Sequence, residues 1–283
     1  MTRADYMSCG TGAVANTCTI HTIGRTHSAT ERRARISVMA MKLSVIIPVR
    51  NERPTIASVI RECRVLDPAA EVLVVANGTT DGSVEIARRE GANVIAYDAP
   101  LGHDVGRSVG ARHASGDILL FLDGDMVIPA AKLEPFVRLI REGADVVLND
   151  YSGNVQTKQP HDVVVAKHVL NSALRRPDLR GLSLAAVPHA LSRKAAERIG
   201  FENLAVPPLA HAMAVYGGLN IRTAPTVHVG KLNPRRSHRY NGDPTGRLMM
   251  GDHLEALAWL LAQTDRRGNR HDFGRRRNEV RSR

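Results

Sequence analysis

The sequence predicts one α/β domain over residues 43–264, a mainly parallel sheet with helices on both faces. Three observations lead there. From Leu43 onward, short apolar runs alternate with stretches of helical pattern. The runs are continuously apolar, as parallel strands buried on both sides require, whereas half-exposed strands would alternate apolar with polar. With 43% hydrophobic residues in a chain of 283, there is material for a sizeable core.

Taken in order, "LSVIIPV" (43–49), "EVLVVA" (71–76), "NVIAYD" (93–98), "DILLFLD" (117–123) and "DVVLND" (145–150) read as strands rich in Val, Ile and Leu. Helical stretches fall between them at 53–66, 82–90, 103–115 and 130–142. After Tyr151 the rhythm changes. "HDVVVAKHVLNSAL", "SRKAAERIG" and "TGRLMMGDHLEALAWLLAQT" (245–264) read as helices, and "NIRTAPTVHV" (220–229) as one long strand or a strand pair. Pro207 and Pro208 break any helix before Leu209.

The charge sits at the ends of the chain. Of a formal net +11, residues 1–42 carry six Lys/Arg and two acids, and residues 265–283 eight Arg and three acids, which leaves +2 for all the rest. Basicity confined to the tails is not the footprint of a nucleic-acid-binding face, so no nucleic-acid partner is expected. Residues 1–42 hold no apolar run long enough for a signal-peptide core or a membrane span. With Met39 and Met41 directly before the first strand, they read as a disordered extension or a mis-assigned start. Residues 265–283 read as a flexible basic tail. Cys9 and Cys18 lie in the extension and Cys63 stands alone in the body, so neither a disulfide nor a zinc site is available there. A reducing, cytoplasmic setting follows.

Three of the strands end in polar, turn-forming residues: "PVRNE", "ANGTTDGS" and "DGDM". In a parallel sheet these ends share one edge, where ligands of such folds gather. In "DGD", Asp123 and Asp125 are spaced to point the same way from an extended backbone, and Gly124 lets a ligand approach the main chain. Such a pair suits a hard divalent cation on one carboxylate and a sugar or ribose hydroxyl on the other. The same three residues also make a simple turn leaving a strand. Gly102, Gly106 and Gly110 recur every four residues, which on a helix gives a smooth face for close packing on the sheet.

The run from Leu43 to Pro129 resembles the family 2 glycosyltransferases, with "VIIPVRNERPTIASVI", "VLVVANGTTDGSVEIA" and "HASGDILLFLDGDMVIP" in the family's order. The resemblance implies the GT-A nucleotide-binding fold and an enzyme of the hexosyltransferase type. It assigns Pro48, Arg50, Asn51 and Glu52 to the nucleotide's base and ribose, and Asn77 to the base edge, although Ala76 replaces a commonly acidic residue. It places Arg107 beside the donor diphosphate, where a guanidinium fork fits, with His103 and Asp104 facing the same cleft. Asp123 and Gly124 fall to the donor, and Asp125 and His228 to a Mg²⁺ or Mn²⁺ ion.

The chain departs from that family at the acceptor side. Many inverting members carry an acid pair about a dozen residues before a glycine, but counting back from Gly218 reaches Val206 and Pro207, neither of which takes a proton. The neighbouring candidates for a base are Glu202 and His211, the latter suited by an ordinary pKa near neutrality. The expected activity is metal-dependent sugar transfer from a nucleotide-diphosphate sugar to an unidentified acceptor, whether saccharide, lipid-linked or small molecule. A sugar-phosphate nucleotidyltransferase and a non-catalytic nucleotide-sugar-binding protein are the alternatives. The 245–264 helix and the arginines after it either pack on the domain or rest on an anionic inner membrane face.

Overall fold

The computed structural model describes residues 41–155, 157–232, 243–277 and 279; the extension expected over 1–42 lies almost wholly outside them. The strands are β1 (Leu43–Val49), β2 (Glu71–Asn77), β3 (Asn93–Tyr97), β4 (Ile118–Phe121), β5 (Val146–Asn149), β6 (His189–Ser192) and β7 (Ile221–Ala224). They form one seven-stranded sheet in the order β3-β2-β1-β4-β6-β5-β7. Only β6 runs against the rest, pairing antiparallel with β4 and β5, while β7 pairs parallel with β5. The carboxyl ends of β1, β2, β4, β5 and β7 therefore lie on one edge.

Helices α1 (Ile56–Leu66), α2 (Ser83–Arg89), α3 (Val105–His113) and α4 (Ala130–Arg141) connect the first strands. Then follow α5 (Asp162–Ala173), α6 (Arg193–Ile199), α7 (Pro207–Tyr216), α8 (Val229–Leu232) and α9 (Pro244–Gln263). The apolar runs work as expected. Along β1, Val45, Ile47 and Val49 face a layer with Val59, Leu133 and Phe136 of α1 and α4, while Ile46 faces the opposite layer with Leu73, Phe121 and Ala111. A smaller cluster of Leu170, Leu209, Ala212 and Ala256 joins α5, α7 and α9.

Two of the three glycines, Gly106 and Gly110, do what their spacing predicts, whereas Gly102 precedes α3 at φ 107° and lies nearest the Val105 side chain, not the sheet. A Cβ on Gly110 would overlap the Ile46 side chain, and one on Gly106 would stand 3.1 Å from Pro48 Cβ. Three elements differ from expectation. Strand β6, a four-residue "HALS", carries no apolar run that would announce it. The strand expected over 220–229 stops at Ala224, because Pro225 has no N–H to give a ladder, and the chain then turns into α8. The two prolines expected to end a helix instead begin one, sitting in the first turn of α7 where their missing N–H groups are not needed.

Candidate active site

The loops after β1 and β2 are stitched together by side chains that bond to backbone. Asn51, at φ 60°, accepts the Thr80 N–H at 2.8 Å, and the Thr79 hydroxyl donates to the Val49 carbonyl at 3.0 Å. Asp81 accepts the Arg53 N–H at 2.9 Å and the Ser83 N–H at 3.0 Å, while Ser83 Oγ accepts the Glu52 N–H at 3.0 Å. Burial works to raise the Asp81 pKa, but these bonds overcome it and hold the carboxyl below its ordinary value. Arg50 is left exposed on the rim, with Pro48 half-buried beneath it.

The "DGD" turn is seated against the end of β1. The Thr55 hydroxyl donates to the Gly124 carbonyl at 2.7 Å, and a Cβ on Gly124 would stand 2.9 Å from Val49 Cγ2 and 3.3 Å from the Pro48 carbonyl oxygen. Any larger residue would push the two aspartates away from the first motif. Both carboxylates are half-buried.

Arg107 organises this corner. It projects from α3, is 6% exposed, donates from Nη2 to Asp123 Oδ1 at 3.1 Å and sets Nε 3.2 Å from Asp104 Oδ1. Burial would lower its pKa, yet the two carboxylates more than compensate and raise it, so the guanidinium stays charged. Its Nη1 is buried with no hydrogen-bond partner among the described residues. Asp104 opens α3 at φ 60°, with His103 Nε2 3.5 Å from its Oδ2. Beneath lies His189, stacked on Phe121 at 4.8 Å, its Nδ1–H donating to the Ala186 carbonyl at 3.0 Å. Burial, and then the charge of Arg107, push this imidazole down to about 3, so it is a neutral floor to the site.

Asn77 serves the scaffold as well as the cleft. Its Nδ2 donates to the Gly102 carbonyl at 2.8 Å, and its Oδ1 accepts the Leu101 N–H. Both ends of the amide are thus taken by the loop that leads into α3. At the far side, Asn149 at the end of β5 bonds the Val187 and Val227 carbonyls at 3.1 and 2.9 Å and accepts the Val227 N–H at 2.8 Å. This clamp presents His228, exposed and edge-on to Tyr151 with centroids 6.3 Å apart. Among the described residues no three His, Cys, Asp or Glu side chains converge as a metal cluster, so His228 is not drawn together with Asp123 and Asp125.

The two candidate bases are elsewhere. Glu202 is exposed on a 3-10 turn and 3.6 Å from Arg112 in the last turn of α3, the end of that helix remote from the carboxyl edge. His211 has no exposed surface; its Nε2–H donates to Asn171 Oδ1 at 2.7 Å, inside the α5, α7 and α9 packing. Burial first, then the nearby charges, lower it to about 3. His211 is thereby closed off from an acceptor hydroxyl, whereas Glu202 is open to solvent. Nearer to Asp104, α9 carries a carboxyl that sequence reasoning passed over. Asp252 is half-buried and near enough to Asp104 and His103 to feel their charges; burial, Asp104 and Glu255 raise its pKa. The only hint was a pair of acids, Asp252 and Glu255, three residues apart on an otherwise largely apolar helix.

A cavity of about 460 Å³ beside β7, lined by Asp150, Arg176, Asp178, Arg180 and Arg222, is not part of this site. Each of its guanidinium groups already faces a carboxylate within 2.9 Å.

Residues 44–198 match the model of Glycosyl transferase family 2. The chain belongs to the family 2 glycosyltransferases. The undecaprenyl-phosphate 4-deoxy-4-formamido-L-arabinose transferases of Klebsiella pneumoniae (strain 342) and Salmonella choleraesuis are 32% and 31% identical over 116 residues. That match covers 38% of this chain and 36% of each of theirs, so the chain spans about a third of the length of these relatives. Among solved structures, glucosyl-3-phosphoglycerate synthase from Mycobacterium tuberculosis, in complex with Mn²⁺, UDP and phosphoglyceric acid, is similar at TM-score 0.57 and 20% identity. The likeness covers 86% of this chain and 84% of that one. Mannosyl-3-phosphoglycerate synthase from Rubrobacter xylanophilus is similar at TM-score 0.57 and 18% identity, over 82% of this chain and 77% of the other. These likenesses show the GT-A fold: a mostly parallel sheet with the family's motifs at its carboxyl edge.

Proposed function

We propose that this family 2 glycosyltransferase moves a sugar from a nucleotide-diphosphate donor to an acceptor that carries a phosphate, using a divalent cation. The observation that carries the proposal is the corner in which Arg107, itself buried, holds Asp123 beside Asp125 while its Nη1 lacks an acceptor. A buried guanidinium N–H without a partner is costly, and a donor oxygen is the natural group to satisfy it. The carboxylate oxygens of Asp123 and Asp125 are hard donors that suit Mg²⁺ or Mn²⁺, an ion that keeps waters and takes diphosphate oxygens for its other positions. When bound, such an ion offsets the charge that develops on the leaving diphosphate.

In this reading Asp125 is the principal protein ligand of the ion, and His228 takes no part in holding it. Arg107 fixes Asp123 toward a sugar or ribose hydroxyl, and Gly124 keeps both carboxylates close to the end of β1. Pro48, Arg50, Asn51 and Glu52 form the nucleoside side, and Asn77 shapes its lower wall. Asp252, half-buried on α9 and close enough to Asp104 and His103 to feel their charges, is the carboxyl placed to exchange the acceptor proton. A phosphate-bearing acceptor is supported by the relatives' names, which join undecaprenyl phosphate and phosphoglycerate. The solved neighbour is in complex with UDP, and in a second structure with UDP-glucose, which supports a UDP-sugar donor. Residues 43–264 are taken as the catalytic domain. No helix among the described residues is long and apolar enough to cross a membrane; a cytoplasmic location, with peripheral contact to the inner membrane face, is part of the proposal.

Calorimetric titration of UDP with and without Mn²⁺ tests it. Asp125→Asn should weaken the metal-dependent binding at least tenfold and leave uridine binding unchanged, as expected when one charged ligand is lost. Equal affinities across the Mn²⁺ series would remove the assignment. Product analysis separates the alternatives: release of nucleoside diphosphate marks glycosyl transfer, release of pyrophosphate marks nucleotidyl transfer, and neither marks a binding protein.

A further inference from the structure

The residues after α9 form a folded loop. Arg270 donates from Nη2 to the Ser172 carbonyl at 2.7 Å and reaches the Ala173 carbonyl from Nη1 at 3.5 Å, satisfying the open end of α5. Arg175 answers with a bond to the Asn269 carbonyl at 2.6 Å. Asp265 accepts the Arg267 and Asn269 N–H groups at 2.7 and 2.8 Å, and Asp272 gathers Arg267, Arg275 and Arg277. A segment that basic composition alone would leave in solvent is thus tied to the body by side chain and backbone.

What this loop presents is unusual. Phe273 is 89% exposed and sits at φ 51°, a left-handed conformation that an L side chain adopts only at a cost. Its N–H donates to His271 Nδ1 at 2.7 Å and the two rings stand edge to face at 4.9 Å, so the aromatic ring is held outward. The same segment carries Arg266, Arg267, Arg270, Arg275, Arg276 and Arg277 against Asp265, Asp272 and Glu279. Arg266 and Arg276 are exposed; among the described residues neither side chain makes an ion pair within 4 Å, although the charge of Arg266 is felt by Asp265. On α9, the helix that precedes the loop, Leu254 and Leu261 are 62% and 42% exposed and lie seven residues apart, hence on one helix face.

We infer that this loop is a docking surface for an anionic lipid bilayer, with Phe273 entering the interfacial region and Arg266 and Arg276 resting on headgroup phosphates. The combination of one outward aromatic with exposed guanidinium groups is the chemistry of a membrane interface. A nucleic acid would answer the arginines but would leave Leu254 and Leu261 unexplained. The inference deepens the peripheral contact proposed above and rests on that reading for its partner, but not on the transfer chemistry.

The test is co-sedimentation of the full chain with phosphatidylcholine vesicles, with and without phosphatidylglycerol, while UDP binding is followed in the same samples. Binding is expected only to the mixed vesicles, and it should weaken as salt is raised. Arg266→Ala with Arg276→Ala should weaken it by about thirtyfold, from roughly fivefold for each arginine near a charged surface. Phe273→Ser should weaken it by about tenfold. UDP binding should not change in either variant. Wild-type vesicle binding by both variants, or no vesicle binding by the native chain, would overturn the inference while leaving the donor site standing. Loss of a dimer in place of loss of vesicle binding would assign Phe273 to a contact between copies, and would overturn it as well.

Discussion

Replacing Arg107 by Met should damage the protein in two separable ways. The guanidinium is buried between Asp104, itself 8% exposed at the side chain, and Asp123, 33% exposed. Methionine fills a similar volume but leaves both carboxylates facing each other across an apolar side chain. Removing one partner of a buried ion pair costs about 3–5 kcal/mol, and the partial exposure of Asp123 argues for the lower end, ~3 kcal/mol. In a domain of this size each kcal/mol moves Tm by about 2–4 °C, so the variant should melt roughly 6–12 °C lower. Adding Asp104→Asn should restore at least ~1 kcal/mol, because the two sites share one interaction. Arg107→Lys should fall between, since an ammonium keeps the charge but cannot fork to both carboxylates. The second effect is on ligand: without its fixed partner Asp123 loses its aim, and UDP affinity with Mn²⁺ should drop about tenfold, the value of one hydrogen bond to a charged group. Scanning fluorimetry with and without UDP and Mn²⁺ reads both effects. A Tm within ~2 °C of the native protein, or a double variant no more stable than the single, would refute the account of this corner.

Two further predictions concern buried ionisable groups. His189 and His211 are each held near 3 by burial, so as pH falls below about 6.5 the unfolded chain takes up protons that the native state refuses. Stability should then fall by about 1.4 kcal/mol per pH unit for each histidine, and in urea titrations His211→Gln should remove about half of that slope; an unchanged slope would show that His211 is not buried neutral. Lys167 is buried on α5 with no carboxylate paired to it among the described residues, and burial lowers its pKa to about 8. Below that pH it is charged in the native state at a cost that lapses as pH rises toward its unfolded value, so Lys167→Met should stabilise by about 1–3 kcal/mol at pH 7 and by much less near pH 10.5. Destabilisation at pH 7 would refute this.

The sequence by itself determined the sheet and its working edge, because strand pattern and strand-end chemistry are local. "VIIPV", "VLVVA" and "ILLF" bury on both faces whatever follows them, and parallel pairing then brings "RNE", "NGTTDGS" and "DGD" to one side. The Gly106–Gly110 face was legible for the same reason, since helix spacing alone places both glycines against the sheet. What the tertiary structure decided depends on residues far apart in the chain. Strand β6 exists because β4 and β5 leave a slot between them that four unremarkable residues can fill. Arg107 reads in sequence as a ligand-facing arginine, and only the fold sets Asp104 and Asp123 on either side of it. His211 has the right side chain for a base, but helices α5, α7 and α9 close over it and take away both its solvent and its proton affinity. Asp252 gains its place by the reverse route, as a surface-type residue on an amphipathic helix that packing carries to the rim of the cleft. Whether a side chain can react is set by its surroundings, and those are made by contacts that no local pattern encodes.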